Sequence, residues 1–320
     1  PGFLVYAVAG TLRGVGFDVD RLEVLGDPVP VVEQVMMVNS GAAEFSVSKT
    51  GALVYQPGSA AGTTGTLRSL VWVSRSGREE PIKAPQRAYT VPRLSPDGTR
   101  LAVSINDQES DVWVWDFAHE TLGRLTFGPA AESQPAWTPD GRRIIFSSGR
   151  SGPANLFWQL ADGTGSVERL TTSPNAEFNA SISPDGKQVV LLEQAPGTGN
   201  DVMLFHIGGK QQPEPLLHES FSESRPEISP DGRWLAYTSN ETGQENVFVR
   251  PFPNVNGGRW QVSPAGGTRA AWARSGKELF YGTREGAIIA VPVQTGATFS
   301  AGSPTKLFDW RTLGVPNLAR

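Results

Sequence analysis

Cysteine is absent from the 320-residue chain, and histidine and methionine occur three times each. Without thiols there is no disulfide, no thiolate nucleophile and no thiolate metal site, although the absence itself selects no compartment. His119, His206 and His218 show neither His-x-His nor His-x-x-x-His spacing, which argues against a zinc centre or a catalytic triad. No apolar run approaches the roughly 20 residues that span a bilayer. Basic residues are not in excess: 28 Lys and Arg against 32 Asp and Glu give a net charge of −4, which does not suit nucleic acid. There is no Gly-x-Ser-x-Gly elbow, phosphate loop or dinucleotide fingerprint. Ile207-Gly-Gly-Lys210 is followed by Gln rather than Ser or Thr and reads as a turn. With 36 Gly and 25 Pro, no window holds a 3.6-residue period, so no helix is expected.

What the chain has instead is a repeated phrase. Arg93-Leu-Ser-Pro-Asp-Gly-Thr-Arg-Leu-Ala-Val-Ser104 reads as a strand, a tight Pro-Asp-Gly turn and a second strand of apolar residues. It returns at Trp137–Phe146, Ile182–Val190 and Ile228–Tyr237, with decayed copies at Val47–Tyr55 and Trp272–Tyr281. The turn glycines Gly51, Gly98, Gly141, Gly186, Gly232 and Gly276 are separated by 47, 43, 45, 46 and 44 residues. That period matches a four-stranded propeller blade. The Asp of each turn (Asp97, Asp140, Asp185, Asp231) is expected to stabilise its own turn rather than hold a metal. Asp111, Asn155, Asp201 and Asn246 each open a third strand, where a short polar side chain is expected to cap the preceding turn. The tryptophans, Trp113, Trp115, Trp137, Trp234 and Trp272 among them, are expected to pack blade against blade. Trp260 and Trp310 stand apart, nearer unit ends.

The expected fold is therefore all-β: a seven-bladed β-propeller of four-stranded antiparallel blades, closed by pairing the N- and C-terminal strands. Full blades are expected near 41–85, 89–128, 132–172, 177–217, 223–263 and 267–309, with the seventh made by 1–38 and 311–320. Six and eight blades are the alternatives. Closure of this kind removes sheet edges. The chain opens on Pro1 and is expected to be a segment of a longer polypeptide.

Nine residues before successive turn glycines stand Ala42, Tyr89, Glu132, Glu177, Glu223 and Gly267; two residues further in stand Glu44, Val91, Gln134, Asn179, Arg225 and Arg269. Both rows are expected at the mouth of the central channel. The candidate ligand-binding set is Glu44, Tyr89, Glu132, Gln134, Glu177, Asn179, Glu223, Arg225 and Arg269. Converging carboxylates from Glu132, Glu177 and Glu223 are the candidate metal ligands, and Ca²⁺, which takes 6–8 oxygens, is the candidate ion. The competing reading is a hydrated rim with those acids paired partly to Arg225 and Arg269.

The Ser-Pro-Asp-Gly turn, the apolar strand after it and the Asp- or Asn-led third strand resemble the TolB-like (PD-type) propeller repeat. Gly10-Thr-Leu, Gly26-Asp-Pro-Val-Pro-Val-Val32, Leu70–Gly77 and Val249-Arg-Pro-Phe-Pro253 are most similar to the extracytoplasmic propeller of bacterial serine/threonine kinases. The resemblance covers the whole chain and implies an extracytoplasmic or periplasmic module of a membrane-anchored parent. It implies a non-enzymatic sensor or scaffold that takes a protein, peptide or small-molecule ligand at the channel mouth. Fold alone does not fix activity. The alternative from another class is a calcium-dependent hydrolase of lactonase or phosphotriesterase type, matched by composition only.

Overall fold

In the computed structural model the described residues are 2–8, 11–18, 21–32, 45–47, 53–55, 67–107, 109–195 and 199–309. Among them there is no α-helix, and one 3₁₀ turn at Val255–Gly257. The chain divides into two compact units, Pro1–Leu67 with Asn106–Ser110, and Arg68–Ile105 with Asp111–Arg320.

In the first unit, β1 (Gly2–Val8), β2 (Thr11–Asp18) and β3 (Glu23–Val32) form an antiparallel three-stranded sheet, and β4 (Phe45–Val47) pairs β5 (Leu53–Tyr55). In the second, β6 (Val71–Val73) pairs β7 (Glu79–Pro81), and blades follow in chain order. They are β8 (Tyr89–Leu94), β9 (Arg100–Asn106), β10 (Ser110–Asp116) and β11 (Thr121–Arg124); then β12 (Glu132–Trp137), β13 (Arg143–Ser148), β14 (Asn155–Leu160) and β15 (Glu168–Arg169). Next come β16 (Ala176–Ile182), β17 (Gln188–Ala195), β18 (Gly199–His206) and β19 (Glu214–Leu217), and then β20 (Glu223–Ile228), β21 (Trp234–Ser239), β22 (Asn246–Pro251) and β23 (Trp260–Gln261). The last blade has β24 (Thr268–Trp272), β25 (Glu278–Gly282) and a long β26 (Ala287–Thr295), which pairs both β27 (Phe299–Ala301) and β28 (Thr305–Asp309).

The core lies between blades rather than within one. Trp234, Val247 and Val249 of one blade pack with Trp272, Leu279 and Val291 of the next, and equivalent clusters join each earlier pair. Each fully buried aliphatic side chain there contributes on the order of 2 kcal/mol of transfer free energy. The indoles serve this packing. Trp137 Nε1 donates to Arg93 O at 2.8 Å and Trp272 Nε1 to Glu227 O at 3.1 Å, each reaching a neighbouring innermost strand. Trp260 sits edge-on to Trp234, so it is packing as well; Trp310 lies outside the described residues.

The contacts of the first hairpin bear on the expected closure, and a second expectation is corrected. The hairpin of β6 and β7 touches the last blade directly. Arg75 forms a two-pronged ion pair with Glu278 at 2.8 and 2.9 Å, and the Phe308 side chain abuts Gly77. A seven-bladed closure would put another blade between these two. The described part of that closing blade, β1–β3, forms its own sheet, while 33–38 and 311–320 lie outside the described residues. Second, the Asp or Asn opening each third strand mainly fastens the far end of the fourth. Asp111 takes Arg124 at 2.6 Å, Asn155 accepts Ser173 N at 3.1 Å, and Asn246 accepts Gly266 N at 3.1 Å. Asn246 also bonds back into the turn before it, donating to Thr242 Oγ1 at 2.7 Å, as Asn155 does to Ala154 O at 3.0 Å. A carboxylate or amide at a strand's first residue faces the neighbouring strand's last residue, so an antiparallel pair supplies the partner.

Candidate functional site: the channel between the innermost strands

Each innermost strand ends in a turn whose residues fix its direction. Ser95 Oγ donates to Asp97 Oδ1 at 2.6 Å, and Asp97 Oδ1 accepts Thr99 N at 3.0 Å, while Gly98 takes φ 75°. Thr138–Asp140, Ser183–Asp185 and Ser229–Asp231 repeat the hydroxyl–carboxylate contact. These hydrogen bonds favour the ionised form and hold Asp97 near 2, with the Ser95 hydroxyl contributing most. The turn aspartates are thus engaged locally.

Upstream of the turn, β8, β12, β16, β20 and β24 each carry a β-bulge. The register breaks between Thr90 and Arg93, Ser133 and Ala136, Phe178 and Ser181, Ser224 and Glu227, and Thr268 and Ala271. At four of these breaks a non-glycine residue occupies the left-handed region: Val91 at φ 48°, Gln134 at 58°, Arg225 at 52° and Arg269 at 59°. Such backbone is costly for L-residues and persists where the surroundings enforce it. A bulge also re-aims side chains.

The five innermost strands β8, β12, β16, β20 and β24 wall a cavity of about 490 Å³. Its polar lining is cationic, with Arg93, Arg225, Arg269 and Arg274 beside the carboxyl of Glu227. Burial first, then the Arg269 and Arg93 charges, pulls the Arg225 guanidinium down to about 10. Burial lowers Arg269 as well, against the pull of Glu245. Glu227, whose carboxylate accepts Trp272 N at 3.2 Å, is pushed up by burial. Arg274 reaches over from the last blade to donate to Ser95 O at 3.0 Å.

Of the nine expected residues, Arg225 and Arg269 line this cavity. Tyr89 is core instead, its hydroxyl donating to Pro85 O at 2.6 Å. Gln134 is half-buried, and its backbone N–H meets Ser104 Oγ at 2.9 Å. Glu44 and the Asn179 side chain lie outside the described residues.

The three glutamates are buried at three separate places. Glu132 accepts Ser148 Oγ at 3.1 Å and Arg150 at 2.7 Å; Glu177 accepts the Thr171 hydroxyl; Glu223 lies near Glu219, Asp201 and Arg250. Burial pushes Glu177 and Glu223 up to about 7. Among the described residues no three acidic or histidine side chains converge as metal ligands. Glu132, Glu177 and Glu223 therefore do not fit a shared Ca²⁺ site. The histidines pair singly with acids of their own blade, as His218 does with Asp201 at 2.9 Å. No helix among the described residues is long and apolar enough to cross a membrane.

The lining residues missed from sequence are Arg93, Glu227 and Arg274. The first two stand five residues before their turn glycines, two beyond the row that was singled out. Arg274 replaces the proline of the turn motif, a departure visible in Trp272-Ala-Arg-Ser-Gly276.

Comparison with known proteins agrees with this architecture. A family model described as the TolB beta propeller domain (PD40) matches residues 68–250. The chain is 27% identical over 184 residues to the uncharacterized peptidase YuxL of Bacillus subtilis, covering 56% of this chain and 26% of that protein. It is 37% identical over 75 residues to the uncharacterized protein Atu1656 of Agrobacterium fabrum, covering 23% of this chain and 25% of that protein. The matches thus span about a quarter of each curated relative. Among solved structures, a protein assigned as TolB from Agrobacterium tumefaciens superposes with a TM-score of 0.61 at 19% identity, covering 77% of this chain and 90% of that one. Oligogalacturonate lyase from Vibrio parahaemolyticus gives 0.53 at 12%, covering 76% and 73%. At such identities the likeness shows the fold alone.

Proposed function

Since the chain belongs to the TolB β-propeller domain family, a fold without a fixed chemistry of its own, we propose that it is a non-enzymatic binding module that receives a ligand or partner segment in its channel. The observation that carries this is the cavity of about 490 Å³ walled by side chains from five separate innermost strands. That volume lies in the range of small-molecule and peptide-anchor sites. The strained residues at the bulges support the reading, because strain repeated at one depth concentrates where a site is pre-shaped. In the same reading the module is the extracytoplasmic part of a longer, membrane-anchored polypeptide, following its resemblance to kinase-linked propellers.

Ala271 tests the site. It is exposed, faces the cavity and offers room for a larger side chain. Charged and neutral small molecules and short peptides would be screened by the rise in Tm they produce. Ligands that use the channel should lose their effect on Ala271→Trp. Equal shifts in both proteins would refute the channel as the binding site.

A further inference from the structure

The wall of the channel is not chemically neutral. Arg93, Arg225, Arg269 and Arg274 come from three different blades and point charge into one cavity. Among the described residues the nearby acids are Glu227, which lines the same space, and Glu245, which acts on both Arg225 and Arg269. Even with both ionised, the described groups of the cluster keep an excess of two positive charges in a protein whose net charge is −4.

Arg274 donates to the Ser95 carbonyl, and Arg93, whose Nη1 lies 3.5 Å from the Pro92 carbonyl, also acts on the Glu227 carboxyl. Arg225, next to Arg269 and Arg93, gives up part of its own charge stability through burial and mutual repulsion. Like charges brought together in a half-buried space are unfavourable unless an anion relieves them. Guanidinium groups also present a planar donor fork that matches carboxylate and phosphate oxygens.

We infer that the channel is a receptor for a compact oxyanion bearing at least two negative charges, gripped between Arg225 and Arg269 on one side and Arg93 on the other. This rests on the binding reading above and adds the ligand's chemistry to it. Carboxylate and phosphate groups share that chemistry. The other lining side chains, such as Ala136, Ile182 and Ala271, bring no charge, so the ligand is held mainly by its charged ends.

The test uses isothermal titration of the full chain with citrate, inorganic pyrophosphate and uncharged trimethyl citrate at matched ionic strength. Citrate or pyrophosphate should bind and trimethyl citrate should not; which of the two binds tighter separates a carboxylate from a phosphate receptor. Arg225→Gln should weaken binding by about tenfold or more, as expected for losing a charge-assisted hydrogen bond. Ala271→Lys should tighten it and Ala271→Glu weaken it, a sign reversal that misfolding cannot produce. Binding should weaken as salt rises. If neither anion binds while some neutral ligand still shifts the wild type but not Ala271→Trp, the oxyanion inference fails and the channel reading stands. If no ligand of any charge distinguishes Ala271→Trp from the wild type, both fall.

Discussion

Single residues carry unequal burdens in a repeat that looks uniform. Gly232 and Gly276 occupy the same turn position with φ 72° and 67°, yet a Cβ on Gly232 would lie 3.1 Å from Pro184 of the preceding blade's turn, while one on Gly276 would meet nothing within 4 Å. Both alanine variants should lose about 1 kcal/mol to left-handed backbone. Gly232→Ala should lose more, because Pro184 must also move. Urea unfolding of the two variants side by side measures the difference; equal losses would show that the turns do not touch in solution. Glu177 gives a second test at this scale. It is fully buried and pushed up to about 7, chiefly by burial. The native state therefore keeps a proton that the unfolded chain has released above the ordinary carboxyl range. Its contribution to stability is complete below about pH 4.5 and is lost as pH rises through about 7. Glu177→Gln retains an acceptor for the Thr171 hydroxyl and removes the titration. Unfolding measured from about pH 5 to about pH 8.5 should show a flatter profile for the variant, with a relative gain of about 1–2 kcal/mol at the alkaline end. An unchanged slope would mean that Glu177 is ionised in the fold throughout.

At the scale of the element, the bulged innermost strand explains both what the sequence discloses and what it conceals. Val91 is β-branched and sits at φ 48°, the least suitable residue type for that backbone. Val91→Asn should stabilise the protein by about 0.5–1 kcal/mol, since asparagine tolerates the left-handed region. A loss of stability in thermal or urea unfolding would assign the Val91 side chain a packing role larger than its strain. The repeating blades were legible because Pro-Asp-Gly turns mark each one with a glycine at positive φ, a requirement few residues meet. The bulges were not legible, because their left-handed residues are Val, Gln and Arg rather than Gly. That gap misdirected the site. Counting back nine residues from a turn glycine crosses the bulge, and one extra residue in a strand reverses which face later side chains show. Glu132, Glu177 and Glu223 consequently lie buried among local partners, away from the lining of the channel. Arg93 and Glu227, five residues before their glycines and on the near side of the break, reach the channel. Arg225 and Arg269 were found because they stand at the break itself.

Over the whole of the second unit, the order of its parts follows from contacts between its first hairpin and its last blade. Arg75 meets Glu278, lies 5.7 Å over the Phe280 ring, and follows a strand whose Trp72 packs on Phe117 of the β8–β11 blade. The β6–β7 hairpin thus stands between the earliest and the latest full blades of the unit. The ion pair itself is a weak tie. It is open to solvent, so Glu278→Gln should leave stability nearly unchanged. Its value is as a ruler, and the absence of cysteine makes the measurement clean. A protein carrying Arg75→Cys and Glu278→Cys would hold its only two thiols at this contact. A short bismaleimide should link them within one molecule at high yield, seen as an internal cross-link after digestion. If the two thiols instead stay unlinked by short reagents and join only through long ones, another blade separates them. The ring would then close as the seven-bladed reading of the repeat requires, and the channel would have a wall beyond the strands that line it here.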